Sequence, residues 1–333
     1  MIRLGLCCKY NSQPITFRTT TATYLARTTR RKQLAKLSAL IRHNAESLQQ
    51  AIAWNARNGI GAFRVNSQIL PLYTHPTVGY DMADLPDGKA LVALFRRAGR
   101  LAREYGMRLS FHPDQFVVVN SQKPAVVAAS IRELAYQAQV AEWIGADVIN
   151  IHGGGAYGDK AAALARLRQA IDGLPRAVRR RLTLENDDRT FTPKDLLPVC
   201  RATGTPLVYD VHHHRCKPDG LTIEQATTAA LATWDREPLF HISSPRDGWA
   251  GPRPQRHHDY IAPADIPDCW RALDLTLEVE AKAKEDAIAR LQRHLSDRGV
   301  AFGCTAATLR QQGQPPDLRT ERTSQPNQLV GHS

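Results

Sequence analysis

Residues 148–186 read VINIHGGGAYGDKAAALARLRQAIDGLPRAVRRRLTLEN, and this stretch sets the architecture. Val148 to His152 is a short β-branched and apolar run, and Leu182 to Asn186 is a second. Between them, Asp159 to Arg180 has the Ala-, Leu- and Arg-rich composition of a helix. Strand, helix, strand in that order is the signature of βα units around a parallel sheet.

The same alternation extends to both sides. Further strands are predicted over Ile2 to Cys7, Ala62 to Asn66, Arg108 to His112, Leu207 to Val211, Leu239 to Ser243 and Leu275 to Val279. Helical segments are predicted over Arg30 to Asn58, Lys89 to Tyr105, Pro124 to Ile144 and Ile223 to Ala232. Pro193 follows Thr192 at an N-cap position, and Gly106, Gly145 and Gly204 stand where helices should stop. Eight strands each trailed by a helix favour an α/β chain closed into a single (β/α)8 TIM barrel over an open doubly wound sheet. The chain has 333 residues, which one barrel can absorb. The barrel domain is predicted over 1–302. Residues 303–333, containing Gln311-Gln312-Gly313-Gln314-Pro315-Pro316, lack apolar periodicity and are expected to form a disordered polar tail.

Composition narrows the class. Apolar residues make up 43% and charged residues 23%, enough for a full core, and no run approaches the roughly 20 uncharged apolar residues of a membrane span. Met1 to Cys8 is too short for a secretory segment and reads as a strand. Cysteines 7, 8, 200, 216, 269 and 304 show neither metal-knuckle spacing nor a disulfide framework. A soluble, monomeric, cytoplasmic protein with no membrane partner is expected. The net charge of +12 is concentrated early: Arg18, Arg27, Arg30, Arg31, Lys32, Lys36 and Arg42 all precede Glu46, the first acidic residue. Such a stretch attracts polyanions.

In a parallel barrel the C-terminal ends of the strands form the functional face. Nearly every predicted strand ends there in a metal-ligand residue type: Asn66 with His75 in the next loop, His112, His152, Glu185, Asp210 before His212-His213-His214, His241, and Glu278 with Glu280. Of twelve histidines, nine fall in or just after strand ends, which chance does not readily arrange. Imidazoles mixed with carboxylates and no thiolate suit manganese, zinc or iron. The candidates are too many for one ion, so a multinuclear centre is expected, of the kind that clamps the attacking and leaving oxygens of a phosphodiester. Alternation places Leu239 with His241 and Glu278 with Glu280, and it nominates His212 and His214 by their parity with Asp210.

Arg3-Leu4-Gly5, Phe63-Arg64-Val65-Asn66-Ser67, Phe111-His112-Pro113-Asp114-Gln115-Phe116, Leu184-Glu185-Asn186-Asp187-Asp188, Asp210-Val211-His212-His213-His214, His241-Ile242-Ser243-Ser244, His257-His258-Asp259-Tyr260 and Glu280-Ala281-Lys282-Ala283-Lys284-Glu285 together resemble the UV damage endonuclease family. The resemblance implies a TIM barrel that nicks damaged double-stranded DNA immediately 5′ to UV photoproducts, leaving a 3′-hydroxyl and a 5′-phosphate. It implies a Mn²⁺ cluster of three ions, with Zn²⁺ or Mg²⁺ as alternatives, and a nucleoid-associated enzyme. The implied metal ligands are His112, His152, Glu185, Asp210, His213, His241, His257 and Glu280, with His258 the substitute for His257. Glu185, His75 and His241 are the implied catalytic groups.

Gln115 and Phe116 match a pair that probes the duplex at the lesion, with Phe116 where a tyrosine is usual. Asn11, Arg246, Trp249 and Lys282 are further candidate DNA contacts. Leu6 replaces a frequent aromatic residue. Leu239 stands where a lysine with a bridging modified side chain is expected, so water or a carboxylate such as Glu278 would have to complete the cluster. A sugar isomerase or epimerase on the same barrel, an apurinic-site endonuclease, and a damage-binding protein with a decayed cluster are the competing readings; the basic charge argues against the first.

Overall fold

The computed structural model describes residues 1–303, so the predicted tail beyond Gly303 lies outside the described residues. Eight strands are present: β1 Ile2–Cys7, β2 Ala62–Val65, β3 Arg108–Phe111, β4 Val148–His152, β5 Leu182–Glu185, β6 Leu207–Val208, β7 Leu239–Ile242 and β8 Leu275–Val279. Among the described residues ten α-helices accompany them: α1 Ala22–Ala26, α2 Arg30–Arg57, α3 Gly88–Glu104, α4 Pro124–Ile144, α5 Lys160–Asp172, α6 Arg176–Arg179, α7 Pro193–Thr203, α8 Val211–Cys216, α9 Ile223–Leu231 and α10 Glu285–Asp297.

All ladders are parallel, in the order β6-β5-β4-β3-β2-β1-β8-β7. The seam between β6 and β7 is closed just beyond β6, where His241 N–H donates to Tyr209 O at 3.1 Å and Asp210 bridges His241. The predicted barrel is therefore the observed one. Its helix caps also follow the sequence: Thr192 and Asp195 form a capping box on α7, while Gly145 and Gly204 close α4 and α7 in the left-handed region.

Two expectations change. The predicted strand over Leu207 to Val211 ends at Val208, because Asp210 accepts from His213 N–H at 2.8 Å and starts α8. The single helix predicted over Asp159 to Arg180 is two, since Gly173 terminates α5 and Pro175 caps α6.

Outward residues such as Ile2, Leu4, Leu6, Phe63 and Leu109 join the main core beneath the helices. The interior is layered instead. At its base Arg3 grips Glu237 through two nitrogens at 2.8 and 2.9 Å, and Arg108 holds Asp147 and Thr276. Above lies a dry layer of Val148, Val208 and Leu239, packed against Trp234. Each such fully buried side chain contributes about 1.5–3 kcal/mol. Gly5 keeps the interior open next to β8, where a Cβ would stand 3.2 Å from Glu278 Cγ.

The Arg3–Glu237 pair gives a stability prediction. Burial opposes the charge on Glu237, but Arg3 and Thr276 hold its carboxyl below the usual value of 4.5. A depressed carboxyl contributes stability above its unfolded value and loses it as pH falls through the folded one. Glu237→Gln should cost about 2 kcal/mol at pH 7, less than a fully buried pair because Glu237 is about one-third exposed. Urea unfolding should show the gap closing in acid, and a gap equal at pH 7 and pH 3 would contradict this.

Candidate metal centre

Alternation in β2, β3 and β8 directs Arg64, Ser110 and Glu278 inward, where they form a buried ionic layer above Leu239. Arg64 Nε donates to Glu278 Oε2 at 2.5 Å and Arg64 Nη1 reaches Glu280 Oε1 at 2.6 Å, while Ser110 Oγ donates to Glu278 Oε1. Arg64 holds Glu278 down to about 2, against the opposing effect of burial.

The strand ends meet on top of that layer. Glu185, 1% exposed, occupies the middle. Its Oε2 lies 3.0 Å from His112 Nε2 and accepts from Asn150 Nδ2 at 2.5 Å; its Oε1 lies 3.1 Å from His241 Nδ1 and 3.4 Å from His213 Nδ1. Thr183 donates to Asn150 Oδ1 at 3.0 Å and so orients the amide. The His112 and His152 rings lie 5.1 Å apart. His213 Nδ1 is 3.4 Å from Asp210 Oδ2, and His257 Nδ1 is 3.7 Å from Glu280 Oε2.

Electrostatics favours the charged forms of Glu185 and His241 and the neutral form of His152. Burial disfavours charge on Glu185, yet His241 and His152 hold its carboxyl well below the ordinary range. Burial likewise disfavours the imidazolium of His241, but Glu185 and Glu278 raise it to about 10. His241 Nε2 lies 3.1 Å from Glu278 Oε2 and 2.9 Å from Arg64 Nη2, so it donates to Glu278 when protonated and accepts from Arg64 when neutral. Burial lowers His152.

Four carboxylates, Glu185, Asp210, Glu278 and Glu280, gather at this centre, and Arg64 pairs with the last two of them. Asp210 Oδ2 and His152 Nδ1 are buried with no hydrogen-bond partner. Asp210 Oδ2 has the charge of His213 nearby at 3.4 Å, and a buried carboxylate oxygen without a hydrogen bond carries a desolvation cost that a bound cation would offset. Two groups, His112 with His152 and Glu185, and Glu185 with Asp210 and His241, offer ligand atoms within 4.8 Å of one another. Glu185 belongs to both, as a carboxylate shared by neighbouring ions would. The donor set of imidazoles and carboxylates fits divalent cations.

The structure therefore brings together all eight residues expected as ligands. Within the triplet, His213 faces Glu185, whereas His214 contacts Tyr209 Oη at 2.7 Å and Asp219 Oδ1 at 2.9 Å. Strand parity fails at this point because α8 has begun. His212 is fully buried beside His257 and Trp249, with both ring nitrogens unpartnered. His258 turns away, its Nδ1 accepting from Tyr260 N–H at 2.9 Å.

His75 sits in the β2–α3 loop, where its Nδ1 accepts from Thr77 and Val78 N–H, and it makes no contact with the cluster. Gln115 and Phe116 stand exposed on the loop after β3, with Phe116 75% exposed. Arg246 and Trp249 lie on the 245–257 loop, with Trp249 Nε1 donating to Asp265 at 2.8 Å and Arg215 over its ring. Asn11 Nδ2 donates to Lys282 O at 2.8 Å, joining those two candidates at one rim. Leu6 is fully buried in the main core and Leu239 in the dry layer, so neither reaches the mouth. Glu278 is held by Arg64 and Ser110 below His241. Arg64, Asn150 and Ser110 were missed as site residues, although inward parity with Asn66, His152 and His112 was the available signal.

The family model for UV-endonuclease UvdE matches residues 2–307. A UV DNA damage endonuclease of Bacillus velezensis is 34% identical over 88% of this chain and 92% of its own length. One of Bacillus cereus strain G9842 is 32% identical over 85% of this chain and 90% of its own. The crystal structure of SacUVDE superposes with a TM-score of 0.79 at 26% identity, covering 90% of this chain and all of that one. The fold, the convergent strand-end cluster and these similarities agree: the chain belongs to the UV-endonuclease UvdE family and is an endonuclease.

Proposed function

We propose that the protein is a metal-dependent DNA repair endonuclease that hydrolyses the phosphodiester immediately 5′ to UV photoproducts, both cyclobutane pyrimidine dimers and 6-4 photoproducts, leaving a 3′-hydroxyl and a 5′-phosphate. The observation that carries this reading is the position of Glu185, buried among His112, His213 and His241 and common to two candidate ligand groups. His112, His152, Glu185, Asp210, His213, His241, His257 and Glu280 would hold three Mn²⁺ ions, with Zn²⁺ or Mg²⁺ as the alternatives. Bound ions would supply Lewis acidity for the attacking and leaving oxygens and ease ionisation of the attacking water.

The chain's own groups prepare the site for that chemistry. Arg64 holds Glu278 and Glu280 in place beneath the centre, and Asn150 fixes the plane of the Glu185 carboxylate. Glu185, His241 and, from the rim, His75 are the proposed catalytic groups. Gln115 and Phe116 would enter the duplex at the lesion, where the amide replaces base-edge hydrogen bonds and the ring fills a distorted stack that costs less to open. Asn11, Lys282, Arg246 and Trp249 would contact the strand around the scissile bond. The enzyme would act as a monomer on the nucleoid in the cytoplasm; among the described residues no helix is long and apolar enough to cross a membrane.

Glu185→Ala should reduce metal content and slow nicking by at least about 100-fold, beyond the 10–100-fold typical of losing a group behind a ligand, with DNA affinity largely kept. Full activity with full metal content would sink the cluster assignment. Gln115→Ala should reduce preference for damaged over undamaged duplex between about threefold and tenfold, the worth of one net hydrogen bond. Competition binding reads that ratio, and an equal loss on both duplexes would remove Gln115 from lesion recognition.

A further inference from the structure

Helix α2 is much longer than the barrel requires. Its 28 residues span about 42 Å, against about 20 Å for the 13 residues of α10. The helix reaches the strand ends near Asn44, whose Nδ2 donates to Ile69 O at 3.0 Å in the loop after β2. From Arg30 to Asn44 it therefore stands about 21 Å beyond that rim, on the face that carries the metal centre.

This projection is a packed wall. Leu25, Leu37, Ile41, Val78, Tyr80 and Met82 are all buried in the main core. Gln33 Nε2 ties the preceding segment through Leu25 O at 2.9 Å, Asn44 Oδ1 accepts from Arg18 N–H at 2.7 Å, and Arg30 reaches Gly79 O at 2.9 Å. Ser38 and Arg42 both bond Asp87 at the start of α3.

Arg30 and Arg42 are paired with Asp84 and Asp87, but the remaining cations of the wall's surface are uncompensated. Arg18, Arg27, Arg31, Lys32 and Lys36 are exposed, and among the described residues none forms an ion pair. Tyr24 between them is 55% exposed. A merely solvated helix face normally mixes both signs, whereas no carboxylate occurs in this chain before Glu46.

We propose that this wall is a second DNA-contact surface that grips the phosphate backbone of intact duplex to one side of the lesion. The inference rests on the reading of the substrate as duplex DNA. The unpaired helix cations from Arg31 to Lys36 span about 7.5 Å, about two base pairs at 3.4 Å per nucleotide, and Arg18 and Arg27 extend the patch beyond the helix. Contacts of this kind fix register and orientation and carry no base information. The wall would therefore raise affinity for any duplex and leave the choice of lesion to the barrel mouth.

The test compares wild type with the exposed-site variant R27A/R31A/K32A on a duplex of 30 base pairs or so carrying one pyrimidine dimer, and on its undamaged counterpart. The slope of log affinity against log salt should fall by about 2 to 3, near 0.9 for each phosphate no longer neutralised, with turnover at saturating DNA within about twofold of wild type. For wild type, shortening one flank of the duplex should reproduce the loss while shortening the other does not, and the variant should be indifferent to both. An unchanged salt slope, or a variant that still responds to the sensitive flank, would overturn the wall. If wild type cut no dimer duplex, the proposed function would fail, while the salt slope on undamaged duplex would still report on the wall.

Discussion

A closed parallel barrel forces alternate side chains of every strand into one narrow interior, and the rest of this molecule follows from what fills it. Eight strands cannot all send apolar residues inward and also build a polar centre, so the interior is stratified. Arg3, Arg108 and Glu237 occupy the base, Val148, Val208 and Leu239 a dry layer, Arg64 and Glu278 an ionic layer, and the imidazoles with Glu185 the mouth. The last strand seam is closed beside this mouth, through Asp210 and His241. Closure of the barrel and the centre thus share Asp210 and His241.

The ionic layer accounts for the character of the site above it. Arg64 fixes Glu278, Glu278 faces one nitrogen of His241, and Glu185 faces the other. The His241 ring is thus held from behind by a group that is itself bonded, the arrangement that makes ligand geometry precise. Four carboxylates gather at the mouth and the layer beneath it with a single guanidinium and several imidazoles, and the Asp210 oxygen there makes no hydrogen bond. The basic wall of α2 carries an excess of cations instead. One protein would thus present carboxylates to metal at the mouth and unpaired cations to a phosphate backbone on the α2 wall.

The barrel was legible in the sequence because each strand is short, β-branched and followed by a helical pattern. The cluster was legible because histidines and carboxylates recur at strand ends, a regularity that survives uncertain boundaries. What was not legible depends on local competition. Asp210 could continue a strand or cap a helix, and its side chain settles this by accepting from His213 N–H, which turns His213 toward Glu185 and His214 toward Asp219. Arg64 was hidden because a buried arginine is recognised by its partner, and Glu278 lies 214 residues away. The overshoot of α2 needed the tertiary contact of Asn44 with Ile69 to locate the barrel rim.

The central claim is that incision beside a lesion depends on the ions this cluster would hold. The most direct measurement strips the purified protein of metal, restores Mn²⁺, Mg²⁺ or Zn²⁺ separately, and maps the cut on a duplex with one defined pyrimidine dimer, beside undamaged and abasic duplexes. The account predicts no cut without metal and, on restoration of Mn²⁺, a single nick directly 5′ to the dimer with 3′-hydroxyl and 5′-phosphate ends. Undiminished cutting by metal-free protein, or no cutting of any duplex after confirmed metal uptake, would contradict it.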